Sequence, residues 1–472
     1  MSLDELMIMR HEWALVAVAL ILLIAEIGMA ENRKQNIKLF TCVLMALVTV
    51  IGFLPAETGT VFGNMYVTDP LRILMKNILN IGVLIIFLQS FSWLNQPNYQ
   101  DRVTEFYLLM LSSLIGVSYM ISSGHFLMFY LGLELTTIPI AALAAYEQFK
   151  SKSAEAGIKL ILSSAFSSAI LLFGISVLFA ANGNLYFNAF ESGDSMINVL
   201  GFIFFFSGLA FKISIVPFHL WTADVYEGSP TSVTSYLSVI SKGSAVFILV
   251  IVLTTLFRVI QPMWQEVLYA TSILTMTIGN LFAIRQQNLK RFLAFSSIAQ
   301  AGFIMLGIVG GTTLGMATVI YFVLVYVFSN LAAFGVVQAV EQASGKIKID
   351  DYNGFYKTNP RLSLVMMLAL FSLAGIPPLA GFFGKFFLFT AVAESGFYVL
   401  LGVAVLNTVI SLYYYLLVVK AMFINNSDTP VTAFTSDMAM RISLVACSVG
   451  ILIIGFYSPV FEYIKNLCVI GN

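Results

Sequence analysis

Charged residues are scarce in this sequence. Only 10% of its 472 residues are Asp, Glu, Lys or Arg, whereas about 25% is usual in soluble domains. Acidic and basic residues are equally numerous, 24 of each, so the formal net charge is zero. This balance gives no electrostatic reason to expect nucleic acid or a strongly charged soluble partner. The sequence also shows no nucleotide-binding loop, no low-complexity tract and no polar stretch long enough for a soluble domain.

Cysteine is rare as well. The three cysteines, Cys42, Cys447 and Cys468, lie far apart in or beside apolar runs. Their spacing fits neither a metal site nor a redox pair, so we interpret them as small apolar residues. We therefore expect this chain to bind no cofactor and no metal itself.

Long apolar runs dominate the sequence instead. Hydrophobic residues make up 59% of the chain, and apolar stretches of about 20 residues recur along its length, each long enough to cross the bilayer core. Backbone groups in lipid must be satisfied within each segment, and the alternating pattern of barrel strands is absent, so the spans should be helices. The sequence predicts an all-α, polytopic membrane protein with about fourteen transmembrane helices. Among them are predicted spans at roughly 199–221, 361–394 and 440–462.

Basic residues favour one side of the predicted membrane. Most of them follow the odd-numbered spans: Arg33, Lys34, Lys38, Arg102, Lys150, Lys152, Arg285, Lys290, Arg291, Lys346, Lys348, Lys357 and Arg361. Because cytoplasmic loops carry an excess of Lys and Arg, both termini are predicted to lie outside the cytoplasm. The first span, around Trp13 to Ala30, has further spans behind it and should be retained in the mature protein.

Two predicted spans are interrupted at membrane depth. The first interruption lies between Gly208 and Trp221 and contains Pro217; the second lies between Ala374 and Lys385 and contains Pro377 and Pro378. Such breaks are tolerated only inside protein or beside a wet cavity. Five spans separate them, and this odd offset is typical of an inverted-topology repeat whose transport path runs past the broken helices.

This offset divides the chain into four parts. They are residues 1–103 with spans 1 to 3, residues 104–257 as the first inverted repeat with spans 4 to 8, residues 258–423 as the second inverted repeat with spans 9 to 13, and residues 424–472 with span 14.

A few ionisable residues lie within the apolar runs. The candidates for a functional role are Glu134, Lys159, Lys212, His219, Lys242 and Lys385. A charge near the bilayer centre costs between about 2.5 and 17 kcal/mol, so such residues are usually functional. Burial disfavours the charged form of a lysine and a nearby carboxylate restores it. A movement of Glu134 relative to Lys212 could therefore switch that lysine and pass a proton through Lys242 to Lys385.

The same residues also have structural explanations. Glu134 could lock two helices in an ion pair, and the three lysines could snorkel to an interface. Lys159 lies near other lysines and fits a cytoplasmic rim equally well. His219 could relay protons because imidazole titrates near neutral pH, or it could be a hydrogen-bonded structural residue.

Four segments carry a family resemblance. They are Phe211 to Pro230, Asn288 to Ala299, Tyr326 to Gly335, and Ala374 to Phe387 with its Gly-Phe-Phe-Gly-Lys core. In this order they resemble the proton-translocating antiporter-like subunits of respiratory complex I. The run Asp224-Val-Tyr-Glu-Gly228 is similar to the N-type subunits, whereas the M-type, L-type and sodium/proton antiporter subunits usually have Asp-Ala-His there.

The resemblance implies fourteen spans, two inverted five-helix repeats and discontinuous seventh and twelfth spans. It implies a glutamate–lysine pair at Glu134 and Lys212, a central lysine at Lys242 and a distal one at Lys385. It also implies other membrane-arm and peripheral-arm subunits as partners, with NADH, FMN, iron–sulfur clusters and quinone bound in those partners, and a bacterial inner membrane as location. The alternative function is a sodium/proton antiporter or a membrane-hydrogenase subunit.

Two positions depart from the family pattern. Gln300 stands where relatives often have histidine, so this side chain cannot change its charge and can only orient water. Ala223 replaces the usual proline before Asp224, which predicts a milder break there.

Overall fold

The structure is a computed structural model that describes residues 3–28, 36–188, 196–427 and 429–470. Arg33 and Lys34, which entered the prediction of orientation, lie outside the described residues. The described chain folds into twenty α-helices, three short 3-10 helices (Gln100–Arg102, Arg258–Ile260 and Ile349–Tyr352), one π-helical segment and one short hairpin. The first part contains α1 (Leu3–Ile8), α2 (Arg10–Gly28), α3 (Ile37–Gly52), β1 (Gly59–Val61), β2 (Tyr66–Thr68) and α4 (Pro70–Leu94).

The hairpin closes one end of this first part. Its strands pair antiparallel, with Gly59 opposite Thr68 and Val61 opposite Tyr66. Val67 donates its backbone N–H to the carbonyl of Ser122, which anchors the hairpin to the end of α5 (Val103–Ile121). Helix α4 starts two residues after β2, and Tyr66 of β2 contacts Glu12 near the start of α2, so both helices begin at this end of the bundle, hereafter the hairpin face.

The next group of helices contains the first interruption. Its members are α5 (Val103–Ile121), α6 (Phe126–Ala144), α7 (Ser151–Asn182), α8 (Met196–Ile213), α9 (Leu220–Gly228), α10 (Thr231–Tyr236) and α11 (Lys242–Thr255). A single π-helical segment, Leu237–Ser241, joins α10 to α11. The predicted span 199–221 is thus the helix α8, a turn and the start of α9.

The following group repeats this order of long helices and a break. Its members are α12 (Gln261–Ile284), α13 (Leu289–Val309), α14 (Thr313–Ser344), α15 (Phe355–Thr358), α16 (Pro360–Ala374), α17 (Ala380–Glu394) and α18 (Tyr398–Phe423). The predicted span 361–394 corresponds to α16 and α17. In both groups the first two long helices pack against each other, α5 on α6 and α12 on α13.

The end of the chain differs from the prediction. The predicted span 440–462 is shorter in the structure, because α19 (Met438–Phe456) stops before Pro459 and a separate helix, α20 (Pro459–Ile470), starts there. Proline lacks the N–H that would continue α19 and is favoured at the start of a new helix.

The membrane assignment follows from helix length and composition. Twelve helical segments within the described residues are long and apolar enough to cross a bilayer, and Ile37–Gly52 and Pro360–Ala374 are shorter apolar helices. The all-α, polytopic fold predicted from the sequence is confirmed, while the count of fourteen spans stays a prediction. α10, α11, α13 and α14 are almost completely buried and form the centre of the bundle.

Candidate functional site

Lys212 lies where α8 breaks. The helix ends at Ile213, and Ser214 adopts a left-handed conformation with φ of 69°. From this last turn the Lys212 ammonium reaches α6, where it donates to the hydroxyl of Thr137 and lies 3.5 Å from the carbonyl of Leu133. The break thus directs an ammonium group into the protein rather than towards an interface.

Glu134 does not form an ion pair with Lys212. Residues 133 and 137 share the face of α6 that meets the lysine, and Glu134 is turned about 100° away from them around the helix axis. The Glu134 side chain is half-buried, and its Oε1 has no hydrogen-bond partner in the described protein.

A small pocket of about 20 Å³, with room for about one water molecule, lies beside Lys212. Its polar lining includes Thr137, serines of α7 and Ser241, the residue that precedes Lys242. Trp221 closes it, because its indole N–H donates to the carbonyl of Phe211 at 3.0 Å and its ring stacks on Phe211. The pocket gives water a place between the first and second lysines.

Lys242 is the central lysine of this arrangement. It is 2% exposed and follows the π-helical segment directly. Its ammonium donates to Ser297 of α13 twice, at 2.6 Å to the hydroxyl and at 3.1 Å to the carbonyl. Ser238 lies 3.4 Å from the Ser297 hydroxyl and 3.1 Å from the hydroxyl of Tyr326, which accepts from Asn330 at 3.0 Å.

Helix α13 continues the polar chain towards the second break. Ser296 lies 2.5 Å from the hydroxyl of Tyr415. Gln300, one turn further on, donates to that hydroxyl at 3.2 Å and to the carbonyl of Leu373 at 3.0 Å. Its own side-chain oxygen is buried without a partner in the described protein, which leaves an acceptor for water.

Lys385 ends the chain of polar groups. Its ammonium donates to the carbonyl of Ala374 at 3.0 Å and lies 4.6 Å above the ring of Phe303. Ala374 is the last residue of α16, so the cation occupies the negative end of that half-helix. The half-helices can approach this closely because Gly381 has no side chain. A Cβ atom at this position would lie 1.7 Å from the carbonyl oxygen of Ser372 and would collide with it.

Two predicted site residues lie away from this chain. Lys159 is 41% exposed and pairs with Glu155 at 2.6 Å and Asp224 at 2.7 Å, in an ionic cluster that also contains Arg291. His219 lies in the turn before α9, and its Nδ1 is buried without a hydrogen-bond partner in the described protein. The structure therefore places Lys212, Lys242 and Lys385 among buried polar groups, Lys159 in the ionic cluster and His219 in the turn of the first break.

Sequence reasoning missed two kinds of residue. Ser297 contacts the central lysine and Tyr326 contacts Ser238; both lie in segments that carry the family resemblance, but neither was predicted as a site residue. Glu12 and Lys76 form an ion pair of 2.6 Å whose side chains are each 1% exposed. Charged residues inside predicted spans were the signal that could have revealed this pair.

The geometry suits proton transfer rather than ligand binding. Within the described residues, Lys212, Lys242 and Lys385 form no ion pair with a carboxylate. Each ammonium is held by neutral hydroxyl or carbonyl oxygens. An ammonium held only by neutral groups has no fixed ion-pair partner, so it can pass a proton to a neighbouring hydroxyl group or water molecule.

Comparison with known proteins decides the family. Residues 123–411 match the family described as NADH:quinone oxidoreductase/Mrp antiporter, TM. The chain belongs to this family. The family match together with the apolar helices makes it a multi-pass membrane protein.

Comparison with individual proteins gives the same family assignment. The chain is 48% identical to the NADH-quinone oxidoreductase subunit N of Phocaeicola vulgatus, over 100% of both chains, which confirms the predicted resemblance to N-type subunits. A chain of respiratory complex I from Thermus thermophilus with bound aureothin superposes with a TM-score of 0.81 and 27% identity, over 95% of this chain and 97% of that one. A chain of the Mrp complex from Dietzia sp. DQ12-45-1b has a TM-score of 0.86 at 18% identity, over 99% and 97%, and is similar in fold.

Proposed function

We propose that the chain is a proton-translocating subunit in the membrane arm of a bacterial NADH:quinone oxidoreductase. The observation that carries this proposal is the polar chain from Lys212 through Lys242 to Lys385, built across three helix irregularities in an otherwise apolar bundle. The relatives named subunit N and the complex I neighbour support the assembly.

The proposed mechanism uses the field of Glu134. A change in the position or protonation of this carboxylate alters the cost of keeping Lys212 charged. A proton released by Lys212 crosses the serine-lined pocket towards Lys242 and continues by way of Gln300 and its water to Lys385. Each transfer moves one proton between two nitrogen bases through hydroxyl groups or water, with no change in redox state.

The partners supply the driving reaction. NADH oxidation, FMN, the iron–sulfur clusters and quinone reduction are assigned to other membrane-arm and peripheral-arm subunits, so this chain contributes translocation and no electron transfer. The proposed location is the bacterial inner membrane, with both termini on the non-cytoplasmic side, as the distribution of basic residues predicts.

The test is proton uptake by native membrane vesicles that contain the assembled complex. We expect Lys242→Met and Glu134→Gln to assemble normally and to lower NADH-driven proton uptake per complex about tenfold or more, the scale of a lost proton-transfer group. Uptake at the wild-type rate in both variants would overturn the relay. Co-purification with small membrane proteins alone, together with sodium-dependent proton exchange, would instead identify an antiporter.

A further inference from the structure

A second group of buried ionisable residues lies outside the lysine chain. The Lys76 ammonium of α4 lies 2.6 Å from Oε1 of Glu12 in α2. The hydroxyl of Tyr66, in strand β2, donates to Oε2 of Glu12 at 2.7 Å and accepts from Lys76 at 3.0 Å. The three side chains close a triangle between two helices and the hairpin, hereafter the Glu12–Lys76–Tyr66 triangle.

The triangle joins two helices at a high cost in desolvation free energy. Both charged side chains are 1% exposed, so both have lost almost all contact with solvent. The desolvation of a buried pair often exceeds its Coulombic attraction, and apolar residues of similar size hold helices equally well. Because ionisable residues inside membrane segments are costly, Glu12 and Lys76 are candidates for a functional role.

Helix α4 continues the polar surface inwards from the triangle. Arg72, Lys76 and Asn80 follow one another at intervals of four residues, so they share one face of the helix. Arg72 lies at the hairpin face, where its Nε donates to the carbonyl of Ile121 at 3.0 Å. Asn80 is 1% exposed, and neither atom of its amide group has a hydrogen-bond partner in the described protein.

Asn80 lies at the depth of the central lysine. From the start of α4 at Pro70 it is about 15 Å along the helix, half the thickness of the bilayer core. At the same level α4 touches α11 beside Lys242: a Cβ on Gly243 would lie 3.3 Å from Leu79 and 3.7 Å from Met75. A buried amide without partners is a site for water.

We propose that the Glu12–Lys76–Tyr66 triangle is an additional proton-transfer site, which connects the lysine chain near Lys242 with water at the hairpin face. This inference rests on the proposed function, since it supplies that chain with a connection through the amino-terminal helices. Glu12 is the outer member, two residues into α2, and Lys76 the inner one. Water at Asn80 links Lys76 to the centre.

The transfer conserves atoms and charge. One N–H bond of Lys76 breaks and one O–H bond forms on Glu12, directly or through Tyr66, which leaves an amine and a carboxylic acid. Glu12 then passes this proton to water that enters at the hairpin face, and Lys76 accepts one from Lys242 through water at Asn80, which gives up one proton as it takes another. The ion pair is restored, and one proton has passed. Beside the pair, His11 hydrogen-bonds to Asn77 at 3.0 Å and Tyr119 packs against the cluster that contains Tyr66.

Lys76→Arg is the variant that separates proton transfer from structure. Arginine keeps the ion pair with Glu12 but cannot release its proton in a protein. We expect the complex to assemble and its NADH-driven proton uptake to fall to that of Lys242→Met. Uptake at the wild-type rate would overturn the proposal.

A triple variant, Glu12→Leu with Lys76→Met and Tyr66→Phe, covers the case in which arginine does not fit. It removes all three polar groups together and leaves none of them buried alone, a replacement that often preserves stability. Proton uptake as low as in Lys242→Met would support the proposal, and uptake at the wild-type rate would overturn it. The control, Thr104→Val, removes another polar contact of α2, the 2.6 Å hydrogen bond to Glu26, and should leave uptake unchanged.

The remaining outcomes are also decisive. If neither variant assembles while Thr104→Val does, the triangle serves to hold the fold and the proposal is overturned. If Lys242→Met lowers uptake and Lys76→Arg does not, only this inference fails. If Lys242→Met itself pumps at the wild-type rate, the proposed function fails first, independently of the triangle.

Discussion

The ammonium of Lys242 lies 2.6 Å from the hydroxyl of Ser297, and in the described structure no carboxylate pairs with it. A charge in such a position depends on neutral oxygens and on water. Its protonation state is therefore sensitive to small changes in the groups around it, which is what a transfer site needs.

Replacing Ser297 by alanine should weaken the hold on the Lys242 ammonium. The variant loses one hydrogen bond to a charged group, worth about 1.5 to 3 kcal/mol, and keeps the carbonyl contact. We expect assembly to be normal and proton uptake to fall about tenfold. Ser443→Ala, which removes a buried serine hydroxyl of α19, is the control and should pump normally. Equal uptake in the two variants would contradict a role for Ser297.

Gly375→Ala should disturb Lys385 through the backbone. Gly375 has a left-handed φ of 89°, which costs a non-glycine residue about 1 to 2 kcal/mol, and its Cβ would lie 3.0 Å from Cδ of Lys385. We expect a lower thermal inactivation temperature of the complex together with lower proton uptake. Gly402 lies in a helix with open space around it, so Gly402→Ala should be neutral or slightly stabilising. An unchanged inactivation temperature and unchanged proton uptake in Gly375→Ala would mean that the turn can rearrange to accept the side chain.

Gln300 offers a test of how the chain of polar groups continues between Lys242 and Lys385. Gln300→His keeps a donor for the Leu373 carbonyl, so uptake should be retained. Gln300→Leu leaves that carbonyl and the Tyr415 hydroxyl without this donor, at about 1 to 3 kcal/mol, and should lower uptake. The comparison is made in vesicles with equal amounts of assembled complex. The same uptake in the leucine variant as in wild type would exclude position 300 from the path.

The ionic cluster around Arg291 should contribute to stability only weakly. Arg291 lies 2.6 Å from Asp224 and 3.1 Å from Glu227 and is 33% exposed, so solvent screens both contacts. We expect Arg291→Met to lower the stability by about 0 to 1 kcal/mol, with a smaller difference at high salt. Thermal denaturation at two salt concentrations measures it, with Arg441→Met as the exposed control. A loss several times larger, independent of salt, would show that the cluster acts as a buried network.

The broken helices could be predicted from the sequence because their causes are local. Pro217, Pro377 and the neighbouring glycines interrupt the helix wherever the chain is placed, and lysines beside them stand out against an apolar background. The structure places Lys212 and Lys385 at these interruptions, inside the protein.

The partners of those lysines could not be predicted because they depend on packing between distant segments. The resemblance suggested Glu134 as the partner of Lys212, but the rotation of α6 presents Thr137 instead. Ser297 meets Lys242 only because the fold brings α13 within hydrogen-bonding reach of the first residue of α11. The pair of Glu12 and Lys76 joins positions 64 residues apart, and no spacing rule connects them.

The π-helical segment before Lys242 holds one residue more than an α-helix would place in that turn. If its wider hydrogen bonds are exchanged one by one for ordinary ones, this surplus residue migrates along the helix, and each side chain that it passes rotates by about 100°. Lys242 is the first side chain on its route. A shift of this surplus residue by one position would therefore turn the Lys242 side chain away from the hydroxyl of Ser297 without a movement of whole helices.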